Sequence, residues 1–445
     1  MRARPEVFQK YDIRGKAPEG IDSGLIFELG KSLADYWDSG DIIIGRDIRK
    51  SSPAFYHAMI SGLLSQGCEV TTLGLSSTDM VAYLAKKNFD AGIQITASHM
   101  PPEYGGFKPI NSEGRILSND EMAQIKRIYM RGEASGEKYG EIKDYTEGKE
   151  KYREALISRY RELFENDLSD LKIIVDCSNS VGSLVAPDVL RELEAEVVTI
   201  NDELDPEFSR HSPEPSEASS KMLQRKVKDT GADLGIIFDG DADRVMFVDE
   251  KGQFIQGDIT LALLSQKYLE TEDKLVCSVN TGRTVEDAVK ASNGEISYTP
   301  VGAVFTALKC VEEDITFGGQ PNGHLMDSKF VPYDSGPLFA LLVAGLLNEK
   351  KKKFSDIVNT LERYDTKNLN YETDEKNELM LNIREKADKE EKILHEKFNA
   401  LKLKFNDFTA LLRPSGSENV IRVTVEGEKI DEEDISEVKK FIQNS

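Results

Sequence analysis

Cysteine is scarce and scattered. Cys68, Cys177, Cys277 and Cys310 are the only four in 445 residues and include no C-x-x-C pair, so neither a disulfide framework nor a thiolate zinc site is indicated. Each lies in or beside an apolar segment, and buried free thiols are expected. Histidine is almost as rare, at five residues, which argues against an imidazole-built metal centre. No apolar run approaches the roughly 20 residues of a spanning helix, so no membrane partner is expected. The opening MRARPEVFQKYDIRG has basic residues but no apolar stretch behind them. It does not read as a secretory signal, and the expected address is the cytoplasm. Positive charge is also in deficit: Lys+Arg total 57 against 79 Asp+Glu, a formal net charge of -22. Such a chain repels phosphate backbones at long range, which counts against a nucleic-acid partner. An anionic small molecule is compatible with that charge only if cationic groups are concentrated in a cleft.

What the sequence does have is a recurrent pattern. Short apolar, β-branched runs end abruptly in small and polar residues: DIIIGRD (41–47), AGIQITASHMPP (91–102), LKIIVDCSNSVGS (171–183), ADLGIIFDGDADR (232–244), KLVCSVNTG (274–282) and ITFGGQPNGH (315–324). Runs of this length, bounded by Gly, Ser or Asp, read as buried parallel strands. Helix-like stretches separate them, so the fold class is α/β with mixed, mostly parallel sheets. In such sheets the loops beyond the carboxyl ends of the strands bind ligands. The chain is also too long for a single core. Counting units gives three similar α/β domains, 1–150, 151–253 and 254–365, with a polar first linker around 133–153. Residues 366–445 read as a smaller α+β domain, with one amphipathic helix over 377–398 and two strands flanking RPSGSEN.

Five of the loops carry chemistry. Asp239, Asp241 and Asp243 alternate in DGDADR after the strand-like LGIIF, and three clustered carboxylates repel one another unless a cation holds them. Hard divalent ions prefer such oxygens, so Mg²⁺ is the expected occupant. An EF-hand is excluded, because its obligatory glycine position is Arg244 and an apolar strand follows. Ser98, in TASHMPP, stands at a strand end beside a histidine, as an activated nucleophile could, although Ser and Thr before Pro-Pro equally form a plain turn. Lys108 follows a Gly-Gly pair and could return a cation to the same place. Arg413, Ser415, Gly416 and Ser417 suit a phosphate cradle or, equally, a hairpin loop. Gln320 and Asn322 both donate and accept, which suits sugar hydroxyls or a structural loop, and His324 follows them. Tyr11 and Arg14, in YDIRG, read on their own as a terminal strand end.

In this order, YDIRG, GRDIRKSSP, TASHMPPEYGGFK, HSPEP, DGDADR, GGQPNGH and RPSGSEN resemble the α-D-phosphohexomutase superfamily over nearly the whole chain. The resemblance implies three α/β domains and a smaller fourth around one cleft. It implies Ser98 as the carrier of a transferable phosphoryl group, and Mg²⁺ held by Asp239, Asp241, Asp243 and a phosphoserine oxygen. Arg244, Lys108, Arg14 and Tyr11 would line the transfer region, with His324 and Lys108 handling protons. Arg413, Ser415, Gly416 and Ser417 would hold the non-reacting phosphate, and Gln320, Asn322 and His324 the sugar. Substrate and intermediate would be a hexose phosphate and a hexose bisphosphate, turned over by a monomer or homodimer.

The sequence departs from the family where Gln320 replaces the usual Glu, Asn322 a frequent Ser, and Ala303 the His of a T-G-H turn. Mannose or glucose phosphates are the leading substrates implied, and phosphoglucosamine mutase is the alternative. A non-catalytic sugar-phosphate binding paralogue and a phosphatase are readings from other classes.

Overall fold

The computed structural model describes residues 4–8, 12–132, 136, 138–415 and 418–445. Strand Asp41–Arg46 shows why the apolar runs are continuous. Ile42 and Ile44 face a core with Leu29 and Met59 of helices Ser23–Tyr36 and Ser52–Leu64. Ile43 faces the opposite core, with Val81 and Ala85 of helix Thr78–Asn88. A strand covered on both sides has no solvent face, so its four inner positions are all apolar or glycine.

The first sheet runs Ile13–Lys16, Tyr104–Asn111, Ala91–Ile95, Asp41–Arg46, Glu69–Leu75, Ile142–Asp144. The second runs Phe254–Ile255, Val245–Asp249, Leu234–Phe238, Lys172–Asp176, Glu196–Ile200. The third runs Glu295–Thr299, Lys274–Ser278, Phe317–Gly319, Leu325–Asp327, Val331–Asp334. One connection recurs in all three. A strand paired in parallel on one side turns directly into an antiparallel partner: Ala91–Ile95 into Tyr104–Asn111, Leu234–Phe238 into Val245–Asp249, and Phe317–Gly319 into Leu325–Asp327. The loops that make these turns hold Ser98, the three aspartates and Gln320–His324.

The first three units share one apolar core. It extends from Ile43 and Val81 through Tyr152, Ile173 and Phe238 to Phe317 and Leu341. Helix Gly336–Lys350 lies inside it and is buried on all sides, as its apolar circumference requires. Among the described residues, no helix is long and apolar enough to cross a membrane. All four cysteines are buried free thiols.

Two stretches differ from expectation. Within the polar segment 133–153, Ile142–Asp144 forms an edge strand parallel to Glu69–Leu75, and helix Gly148–Leu163 begins. An edge strand needs only backbone pairing, and all three of its residues are exposed, so no apolar pattern announces it. The helix expected over 377–398 ends at Lys389, and Ile393–Lys397 is a strand. Phe398 and Asn399 both have positive φ (53° and 62°) and turn that strand antiparallel onto Ala400–Lys404. Two left-handed residues in succession make the tight turn that matches strand twist, which stops a helix there.

The fourth sheet is antiparallel throughout: Asp365–Glu372, Val420–Gly427, Phe408–Pro414, Ala400–Lys404, Ile393–Lys397. It has its own core, including Ile383, Leu412, Val423 and Ile442. A small patch of Val279, Ala400 and Leu411 joins it to the third unit. There the Arg283 N–H donates to Glu426 (2.9 Å) and Lys402 donates to Glu286 (2.9 Å).

Candidate active site

The first two of these loops press together at Ser98. Its Oγ donates to Asp239 Oδ2 (2.9 Å), and its backbone sits at φ 52°, a left-handed conformation uncommon for any residue but glycine. Gly240 is required opposite, since a Cβ there would lie 2.5 Å from the Ser98 carbonyl oxygen. Thr78, at the start of its helix, joins the same contact. Its N–H donates to the Asp241 carbonyl (3.1 Å) and its hydroxyl to Asp241 Oδ2.

Asp239, Asp241 and Asp243 are buried, and their ligand atoms lie within 4.8 Å of one another. Three carboxylates so close need positive charge. Lys108 supplies part of it, reaching Asp241 Oδ2 at 2.7 Å and pairing with Asp243 as well. It stands opposite Gln94 on the strand next to that of Ser98. Arg244 donates to Asp239 through its N–H (3.2 Å) and through Nε (3.4 Å). Burial and the charges of Asp243 and Asp241 push the Asp239 carboxyl well up, while burial of Asp241 is outweighed by Lys108, which pulls it down. Even so, Asp241 Oδ1 and Asp243 Oδ1 are buried and accept no hydrogen bond among the described residues. The triad therefore fits a metal ion.

The cations crowd the serine. Burial pushes the His99 imidazole down to about 2, helped by Arg244, Arg14, His324 and Lys108. His99 Nδ1 lies 3.2 Å from Ser98 Oγ, and its Nε2 faces Glu214 at 3.6 Å. Glu214 also takes Arg244 at 3.0 Å. Arg14 pairs with Asp12 (3.0 Å); burial opposes its charge, and Asp12, Asp241 and Asp243 outweigh that cost and raise it. His324 is bridged to Arg244 through the backbone, and its Nδ1 is held by Asp334 Oδ2 at 2.7 Å. A carboxylate on one ring nitrogen fixes the tautomer and leaves Nε2 for chemistry.

The structure thus brings Ser98, Lys108, Asp239, Asp241, Asp243, Arg244, Arg14 and His324 into one group. Gln320 is buried beside it: Oε1 accepts the Gly302 N–H (3.2 Å) and Nε2 has no partner among the described residues. Asn322 is exposed. Arg413 and Ser415 belong to the fourth unit, and no hydrogen bond or ion pair among the described residues ties them to the group. Arg413 faces Arg422 across its hairpin, and burial together with that like charge lowers it. Two arginines so placed suit an anion. Tyr11, Gly416 and Ser417 lie outside the described residues. Reading the sequence for chemistry did not single out Thr78, Glu214 or Asp334. Glu214 lay within the quoted HSPEP, whereas a threonine opening a helix reads as a cap and Asp334 as a strand end.

Comparison with known proteins identifies the family. The sequence matches the phosphoglucomutase/phosphomannomutase α/β/α domains I, II and III over residues 5–135, 150–252 and 256–364. A protein of Methanopyrus kandleri named probable phosphoglucosamine mutase is 35% identical over 423 residues, 94% of this chain and 92% of its own length. A phosphoglucomutase/phosphomannomutase of Thermococcus kodakarensis is 31% identical over 94% of each chain. The crystal structure of a phosphoglucomutase/phosphomannomutase family protein from Burkholderia thailandensis superposes with a TM-score of 0.89 at 23% identity, over 100% of this chain and 97% of that one. The chain belongs to the phosphoglucomutase/phosphomannomutase family and is a phosphohexomutase, an isomerase that moves a phosphoryl group within a hexose phosphate.

Proposed function

We propose that Ser98 carries the transferable phosphoryl group, that Asp239, Asp241 and Asp243 hold Mg²⁺, and that the substrate is a hexose 1-phosphate converted to its 6-phosphate through a bisphosphate. The observation carrying this reading is the Ser98 Oγ to Asp239 Oδ2 contact at 2.9 Å, beside carboxylate oxygens that have no partner among the described residues. Mg²⁺ in that triad would supply positive charge against the phosphoryl oxygens. The chain's own residues do the rest. Arg14, Arg244 and Lys108 neutralise and orient the phosphoryl group, since phosphoryl transfer depends chiefly on positioning and charge. His324, held through Nδ1 by Asp334, exchanges a proton with the sugar hydroxyl at Nε2, with Lys108 as the second candidate. Ser98 gives up its phosphoryl group to that hydroxyl and takes one back from the other end of the sugar. Arg413 and Ser415, with Gly416 and Ser417, bind the phosphate that is not reacting, and Tyr11 lines the transfer region.

For the sugar, the relatives support two readings. The Methanopyrus protein supports glucosamine phosphate; neutral Gln320, with its carbonyl spent on Gly302, offers no carboxylate to any of these sugars and does not rank them. The Thermococcus protein supports glucose and mannose phosphates. Side-by-side assays on glucosamine, glucose and mannose 1-phosphates, with Mg²⁺ and added hexose bisphosphate, decide between them. Purified protein is expected to carry one phosphoryl group on Ser98 by intact mass, and Ser98→Ala to abolish isomerisation. Turnover by Ser98→Ala would refute the phosphoryl-carrier role.

A further inference from the structure

We propose that Arg49 is a positioning residue for phosphoryl transfer, holding the backbone on which Ser98 is presented. The inference rests on the reading of Ser98 as phosphoryl carrier. Arg49 is fully buried, and a guanidinium has five N–H donors. Here all are committed. Nε donates to Asp47 Oδ2 (3.1 Å), one terminal nitrogen to the carbonyls of Pro101 (2.7 Å) and Tyr104 (3.2 Å), and the other to those of Met100 (2.7 Å) and Ser98. No donor is left for a substrate, so any effect of Arg49 on the reaction acts through the loop.

The loop is gripped on both sides of the nucleophile. The Ser98 carbonyl is held by Arg49, and the Ser98 N–H donates to Thr96 Oγ1 (2.8 Å). Thr96 Oγ1 in turn donates to Asp47 Oδ2 (2.8 Å), the oxygen that takes Arg49 Nε. Ser52 Oγ and the Arg49 N–H complete Asp47. One buried carboxylate thus governs both peptide groups flanking Ser98 and sustains its left-handed φ of 52°, a conformation that is unfavourable for an L-residue. The second unit covers this clamp: the Phe208 ring lies 5.1 Å from the guanidinium, and Glu207 pairs with Lys50. Lysine, with three donors on one atom, cannot reproduce a fork that spans four carbonyls and a carboxylate.

Arg49→Lys and Thr96→Val in the full chain test this, with Mg²⁺ present and the hexose 1-phosphate that the parent turns over fastest. The measurements are kcat, KM, melting temperature, Ser98 phosphate by intact mass, and inorganic phosphate released per isomerisation. Arg49→Lys is expected to lower kcat about 100-fold, the cost of a misplacement near 1 Å, with KM within about threefold of the parent. Release of inorganic phosphate should rise, as phospho-Ser98 and water give the serine hydroxyl and phosphate. Thr96→Val, which loses one tether, is expected to show the same split with kcat about fivefold down. A loss of stability alone would not move kcat against KM. Parental kcat and phosphate release in either folded variant, even at a lower melting temperature, would overturn the proposal. Should Arg49→Lys fail to fold, Thr96→Val decides by the same criterion. If instead the parent carries no phosphate on Ser98, or Ser98→Ala turns over, it is the carrier reading that fails, and the role of Arg49 falls with it.

Discussion

At the scale of single residues, the site depends on close approach more than on any one charge. Ser98 and Gly240 belong to different units, yet their backbones meet where a methyl group would lie 2.5 Å from a carbonyl oxygen. That oxygen is backbone and is held from behind by Arg49, so it cannot swing aside. Gly240→Ala is therefore expected to part the serine loop from the metal loop, with kcat falling on the order of 100-fold while the fold persists. Kinetics and a circular-dichroism melt check both halves of that statement. The triad gives a second expectation. Two of its oxygens have no hydrogen-bond partner among the described residues, so removal of divalent metal by a chelator should abolish turnover, and added Mg²⁺ should restore it. Activity that survives exhaustive chelation would exclude the metal.

At the scale of elements, the strand Val331–Asp334 orients His324 from behind through Asp334. Asp334→Asn keeps the shape but loses the charge that fixes the tautomer of the ring, an expected loss on the order of 10–100-fold, part of the roughly 10²–10⁴ that a positioned acid–base group contributes. The expected result is a kcat loss of about that size with little change in KM, measured in steady state. This element also shows what the sequence could and could not reveal. The apolar runs ending in polar loops were legible because burial on both faces leaves a continuous signature, as at Ile42, Ile43 and Ile44. The aspartate triad was legible because its charge pattern makes no sense without a cation. Asp334 was not, because a carboxylate at a strand end looks the same whether it faces water or a histidine. The edge strand Ile142–Asp144 and the hairpin at Phe398–Asn399 were hidden for a related reason. Both are fixed by backbone geometry, which leaves little trace in side-chain chemistry.

At the scale of the molecule, the fourth unit meets the third across an acidic seam. Asp258 accepts the Gly282 N–H (3.3 Å), and burial, with Glu426 and Glu286 nearby, pushes its carboxyl up to about 7; Lys402 opposes this. A folded-state value above the unfolded one means that the folded chain holds a proton the unfolded chain has already lost. Stability should thus fall as pH rises from about 4 to about 7. Asp258→Asn should flatten that slope and raise the melting temperature at pH 8, and an unchanged slope would remove Asp258 as its source. The recurring strand-to-strand turn of the first three units has a different kind of consequence. The Ser98 loop, the aspartate loop and the Gln320–His324 loop occupy the same place in three copies of one design. The serine and aspartate loops are locked together at Ser98 and Gly240, which leaves the side chains of the third loop as the ones freest to change. If Gln320 faces the sugar as proposed, one sugar could be exchanged for another by altering that loop alone, with the serine and aspartate loops kept as they are.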